Sequence, residues 1–191
     1  MRVAVCGSQG SGKSTILKAL HSLGFNSIEG KVARSILHDW DTSLSDVYND
    51  VGKTKRFQEE ILVRKLQETH DLIPGTVTFF ERTFADVFVY CLLNIGKCNE
   101  YSEWFVDYYN KCKAAQQEYD LIFYLPSSVF PVENDGVRPY NKFYSHTIDI
   151  ILTHYLTEMS PCPIVVLDCE SVDERVCTIL STIESMNFNL T

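Results

Sequence analysis

Short apolar runs and longer amphipathic stretches alternate along this chain. Met1 to Val5, Phe25 to Ile28, Thr76 to Phe80, Leu121 to Leu125 and Pro163 to Leu167 are brief runs in which apolar residues predominate, and each reads as a strand. Between them the apolar residues recur at helical spacing: Ile16, Leu17 and Leu20 within 14–23, Val32, Ala33, Ile36 and Leu37 within 31–39, and Val172, Val176, Ile179, Leu180 and Ile183 within 171–186. Further helices are predicted over 54–70, 83–95, 101–119 and 140–159. In the 54–70 helix Phe57, Ile61, Leu62 and Leu66 form the inward side, and Lys55, Glu59, Glu60, Lys65 and Glu68 read as a solvated face. Gly24, Gly96 and the Pro74-Gly75 pair punctuate the elements. Residues 40–53 lack clear periodicity and read as a loop or a loosely structured insertion.

Strands that alternate with helices need crossover connections, so the pattern predicts an α/β fold with a parallel sheet. With 191 residues and 45% hydrophobic content, one domain over 1–191 is expected. The net charge of -8 supplies no broad cationic field, which makes nucleic acid a less favoured partner than a small molecule. Seven scattered cysteines without C-x-x-C pairs read as reduced, mostly structural thiols, with Cys6, Cys91 and Cys177 in apolar segments. The chain opens directly on a strand and has no apolar run near 18 residues, so a cytoplasmic protein without a membrane partner is expected.

Immediately after the first strand stands Cys6-Gly-Ser-Gln-Gly-Ser-Gly-Lys-Ser-Thr15, in which Gly7, Gly12, Lys13 and Ser14 satisfy the phosphate-binding pattern G-x-x-x-x-G-K-[ST]. Glycines let successive backbone N–H groups converge on phosphate oxygens, and the helix that follows adds its positive end. Gly7, Gln9, Gly10, Ser11, Gly12, Lys13, Ser14 and Thr15 are therefore the candidate nucleotide cradle. Lys13 is placed to reach the β- and γ-phosphates and Ser14 to complete a Mg²⁺ shell.

Parallel sheets bind ligands beyond the carboxyl ends of their strands, and there the chain places charge. Glu29 follows the second strand with Arg34 one helical turn on, and Glu81-Arg82 follows the third. Glu81 stands where a Mg²⁺-organising carboxylate is needed, and Arg82 can grip phosphate in a bidentate manner. The alternatives are a helix-capping role for Glu29 and an ion pair of Arg82 with Glu81 or Asp86. Arg138, in the polar segment Glu133 to Arg138, is a candidate lid arginine within about 127–142, with a surface pair to Asp135 as its alternative.

These residues together resemble the nucleoside- and nucleotide-kinase branch of P-loop proteins, within an AAA-type group typified by nicotinamide-riboside kinase domains and related phage proteins. The resemblance rests on Gly7 to Thr15, Glu29 with Arg34, Phe57-Gln58, Phe80-Glu81-Arg82 with Asp86, Tyr119-Asp120-Leu121, Leu125-Pro126, Asp135 to Arg138, Val166 to Asp168 and Glu174-Arg175. It implies a three-layer P-loop fold with a five-stranded parallel sheet of order 2-3-1-4-5, ATP as donor with Mg²⁺, and a nucleoside or (deoxy)nucleoside monophosphate as acceptor. It also implies that Glu29 acts as base and that the pair Glu81-Arg82 serves substrate and phosphates. Gly30 stands where the resemblance implies a bulkier residue. A modified base in DNA and a regulatory ATP- or GTP-binding module are the other readings, and a homodimer is one of the oligomeric states left open.

Overall fold

β1 (Arg2–Cys6) runs down the middle of the molecule, paired in parallel with β3 (Thr78–Glu81) on one side and β4 (Leu121–Tyr124) on the other. β2 (Asn26–Ile28) joins the outer edge of β3, and β5 (Ile164–Val166) that of β4, giving the order β2-β3-β1-β4-β5. This is the order the resemblance implies. A computed structural model of the chain describes residues 1–70, 75–96, 102–127 and 142–186, on which all structural statements here rest.

The central strands β1, β3 and β4 are mostly apolar because both faces of the sheet are covered. Val3, Val5, Phe79, Leu121 and Phe123 point to one face, where they meet Ile16, Leu17 and Leu20 of α1 (Lys13–Ser22) and Ile179 and Ile183 of α8 (Val172–Ser185). Ala4, Cys6, Phe80, Ile122 and Tyr124 point to the other. There they pack on α5 (Phe84–Ile95), α6 (Ser102–Gln116) and α7 (Lys142–Met159). The period of two along each strand thus sorts side chains into two separate cores.

The region read as a loop from the sequence contains helix. α2 (Val32–Asp39) is followed by α3 (Leu44–Tyr48), and α4 (Val51–His70) begins three residues earlier than its periodicity predicts. Two local features make α3: the Ser43 hydroxyl accepts from the Asp46 N–H while the Asp46 carboxylate accepts from the Ser43 N–H, and Val47 is buried. Val32, Ile36, Val47 and Phe57 form a small third core that holds α2, α3 and α4 together. Two further corrections concern burial. Lys65 is 4% exposed, not on a solvated face, and Cys177 is exposed, not a core thiol. The α6 aromatics pack inward: Tyr108 is fully buried and stacks on Trp104 at 4.6 Å.

At the end of β1 the chain must turn sharply under β4. Gly7 adopts φ +143°, and a Cβ there would stand 2.3 Å from the Leu125 carbonyl oxygen. Gly7→Ala therefore combines backbone strain with a collision against main chain, and is expected to lower unfolding stability by about 3 kcal/mol or more, read as a shifted denaturant midpoint.

Candidate nucleotide and acceptor site

Beyond the carboxyl ends of β1, β2 and β3 lies a cavity of about 980 Å³. One end is the loop between β1 and α1. Gly10 and Gly12 hold positive φ values of 80° and 91°, which curls the backbone, and no side chain caps the first turn of α1. Its N–H groups are left for a ligand. The Lys13 ammonium folds back across the loop and donates to the Ser8 carbonyl at 2.6 Å and the Ser11 hydroxyl at 3.4 Å. Burial, reinforced by the nearby Arg82 charge, brings its pKa down to about 8, the state of a cation held ready for anionic oxygens.

Glu81 closes the gap between three strand ends. One carboxylate oxygen accepts from the Ser14 hydroxyl at 3.0 Å and the other from the Gly30 N–H at 3.2 Å. Gly30 has a reason here: a Cβ would lie 3.3 Å from the Glu81 carbonyl and 3.4 Å from Arg82 Cδ, crowding this junction. The paired hydroxyl and carboxylate oxygens of Ser14 and Glu81 are the hard donors that Mg²⁺ takes alongside phosphates and water, so the residues fit that ion.

Arg82 is in the left-handed region at φ 71°, an uncommon setting for a non-glycine residue. Its N–H donates to the Val5 carbonyl at 2.9 Å, which fixes the strained turn to the central strand. The guanidinium lies 4.6 Å above the Tyr90 ring and 3.9 Å from Asp86 Oδ1, so the predicted alternative of an Asp86 pair is present. Asp86 itself is fully buried, and its other oxygen accepts from the Thr83 N–H at 2.7 Å and hydroxyl at 2.8 Å, capping α5.

The candidate residues gather at this cavity unevenly. Gln9, Gly10, Gly12, Lys13, Ser14, Thr15, Glu29, Arg34, Glu81 and Arg82 line it. Gly7 and Ser11 lie behind the lining, as backbone support. Glu29 is exposed and bridged to Lys31, whose hydrogen bond and charge hold its carboxyl below the usual range. Arg138 and the lid segment fall outside the described residues.

Two buried cations of the lining were not singled out as site residues from the sequence. Lys65 reaches the cavity floor from α4, and the fully buried Arg175 ties α8 to the phosphate loop, donating to the Ser11 carbonyl at 3.1 Å and the Cys169 carbonyl at 2.7 Å. Both stand three or four residues from apolar positions on their helices' inward stripes, Lys65 after Ile61 and Arg175 after Val172. That spacing was the available signal. The far end of the cavity is formed by Leu44 and Tyr48 of α3, Phe57, Gln58 and Ile61 of α4, and Val87, Tyr90 and Asn94 of α5. Gln58 is oriented there by Tyr48, to which its amide donates at 3.4 Å, and by Tyr108, whose hydroxyl donates to its side-chain oxygen at 3.3 Å. In a chain of net charge -8 the lining is locally basic: Lys13, Lys31, Arg34, Lys65, Arg82 and Arg175 face only Glu29, Glu81 and Asp86.

A phosphate loop after the central strand of a 2-3-1-4-5 parallel sheet, with an acid-arginine pair at the end of the neighbouring strand, defines the P-loop kinase fold. The chain belongs to the AAA domain family, whose model matches residues 2–175. Solved structures share the architecture at low identity. A deoxyadenosine kinase from M. mycoides, with products dCMP and a flexible dCDP bound, superposes with TM-score 0.70 at 18% identity, covering 97% of this chain and 100% of that one. The NadR protein in complex with NR gives 0.63 at 18% identity, covering 100% of this chain and 52% of that one. Thymidylate kinase from Candida albicans gives 0.60 at 14% identity, covering 97% and 92%. No curated protein matches the sequence. Among the described residues, no helix is long and apolar enough to cross a membrane.

Arg175 supports the phosphate loop without belonging to its motif, so Arg175→Met is expected to cost about 2–4 kcal/mol by leaving the buried Ser11 carbonyl and the part-buried Cys169 carbonyl short of a donor. Chemical denaturation measures that loss. Weaker binding of a fluorescent ATP analogue should accompany it under conditions where the variant is still folded.

Proposed function

We propose that this chain transfers the γ-phosphoryl group of ATP, with Mg²⁺, to a nucleoside or (deoxy)nucleoside monophosphate. The observation that carries this reading is the meeting of Lys13, Ser14, Glu81 and Arg82 at one end of a cavity whose other end is large, partly aromatic and provided with an oriented amide. A triphosphate held by the loop would present its terminal phosphorus toward that second chamber. The likeness to deoxyadenosine, thymidylate and NadR structures agrees with such an acceptor.

In the proposed reaction an acceptor oxygen forms a bond to the γ-phosphorus as the bond to the β,γ-bridging oxygen breaks, and ADP departs. The chain contributes chiefly position and charge. Lys13 and Arg82 neutralise the transferring group and Arg175 keeps the loop in shape. Ser14 and Glu81 would hold Mg²⁺, which when bound offsets phosphate charge. Glu29 is ionised beside Lys31 and takes the proton of a hydroxyl acceptor; a phosphate acceptor has no such proton to give. Arg138 is proposed to add charge from the lid.

Incubation with labelled ATP, Mg²⁺ and a panel of nucleosides, monophosphates, nicotinamide riboside and oligonucleotides tests the proposal. Label on a small acceptor is expected. Label on oligonucleotide would move the acceptor to DNA, and free phosphate alone would favour a regulatory nucleotide-binding module. Lys13→Ala should reduce transfer by about 10²–10³-fold, the scale of losing one oriented charge donor. Glu29→Gln should reduce kcat by about 10²-fold or more with a hydroxyl acceptor and by much less with a monophosphate.

A further inference from the structure

α4 presents Phe57, Gln58, Ile61 and Lys65 to the cavity, a stripe that passes from aromatic through amide and aliphatic to ammonium. Lys65 lies deepest, where the helix meets the end of β3. Its side chain crosses near the Phe84 ring, with Nζ 5.6 Å from the centroid, and donates to the Glu81 carbonyl at 3.3 Å. This is the one hydrogen bond of the ammonium found among the described residues. An ammonium has three donors and no acceptor.

Removing such a group from water is costly unless partners replace the water. Here the replacement is incomplete. Lys65 is 4% exposed, and beyond the Glu81 carbonyl the described residues give its ammonium no second hydrogen-bond acceptor. A methionine would fill the same volume beside Phe84 with no donor to satisfy. The position therefore has a chemical demand that its packing alone does not explain.

We propose that Lys65 determines acceptor specificity by donating a hydrogen bond to an oxygen of the bound acceptor at the cavity floor. The proposal rests on the reading of the cavity as an acceptor site. The oxygen belongs either to a base keto group or to a phosphate, and both offer the lone pair that an ammonium requires. An amino edge offers only hydrogens there and is rejected, because it would leave donor against donor in a buried place.

The test compares deoxyinosine with deoxyadenosine, which differ in a keto oxygen against an amino group, each as nucleoside and as 5′-monophosphate. Calorimetric binding to the full chain is measured without ATP, and transfer is measured separately. If the keto oxygen is read, the wild type binds the deoxyinosine member about tenfold or more tighter and Lys65→Met removes that ratio. If a phosphate oxygen is read, the ratio removed is that of monophosphate over nucleoside. Lys65→Gln, which offers an acceptor as well as donors, should also flatten the affected ratio, and it serves if the Met variant does not fold.

A stability readout separates recognition from structure. Freed of an incompletely satisfied charge, Lys65→Met should melt about 2–4 °C above wild type in the absence of ligand. A lower melting temperature in both variants, ratios unchanged in both variants, or no binding of any of the four ligands would overturn the assignment. Ligand binding that depends on Lys65 with no transfer would instead overturn the phosphotransfer reading and leave Lys65 its role.

Discussion

The Glu81 carboxylate joins three parts of the chain that are distant in sequence. By accepting from the Ser14 hydroxyl and the Gly30 N–H it links the strand end from which it projects to the start of α1 and to the turn after β2. Each contact depends on a small group on the other side: a hydroxyl at the phosphate loop and a glycine whose missing side chain allows close approach. That junction ties the start of α1 directly to the strand end that carries Arg82 and to the turn that carries Glu29.

The sheet makes such a junction available. Placing β1 between β3 and β4 brings the phosphate loop beside Glu81 and Arg82, and the outer position of β2 brings Glu29 and Gly30 to the other flank. Two apolar cores, one on each face, hold these strand ends in register, while the third small core fixes α3 and the start of α4 over the far end of the cavity. The phosphate loop and the turn after β3 both leave ordinary backbone geometry: Gly7, Gly10 and Gly12 hold positive φ, which glycine adopts without steric cost, and Arg82 does so as a non-glycine residue.

Much of this was legible before the coordinates because it is local. Strand runs, helix stripes and the glycine pattern at 7–12 are read from neighbouring residues, and the acid-arginine pair was recognisable from its place after an apolar run. Burial of charge was less legible, because it depends on which elements pack together. Lys65 is read from the sequence as part of a solvated face and Arg175 enters only through the family resemblance, yet both are buried on the inward stripes of their helices. α3 was missed for a related reason: five residues carry too little periodicity, although Ser43 and Asp46 at the spacing of a capping box signalled a helix start.

The distribution of charge gives a physical reason to divide the cavity into donor and acceptor ends. Phosphate oxygens can be met by convergent amides, Lys13 and Arg82 at the loop end, and this accounts for cations near β1 and β3 without invoking Lys65. Lys65 approaches from the opposite element, α4, which also supplies the apolar and amide surface of the second chamber. A side chain held there by burial against Phe84, with one hydrogen bond to the protein, can distinguish ligands by the lone pair they bring to the floor. Selectivity in the proposed reaction would then arise from an incompletely satisfied cation on the helix, while the proposed phosphoryl transfer would depend on the better-bonded residues of the loop.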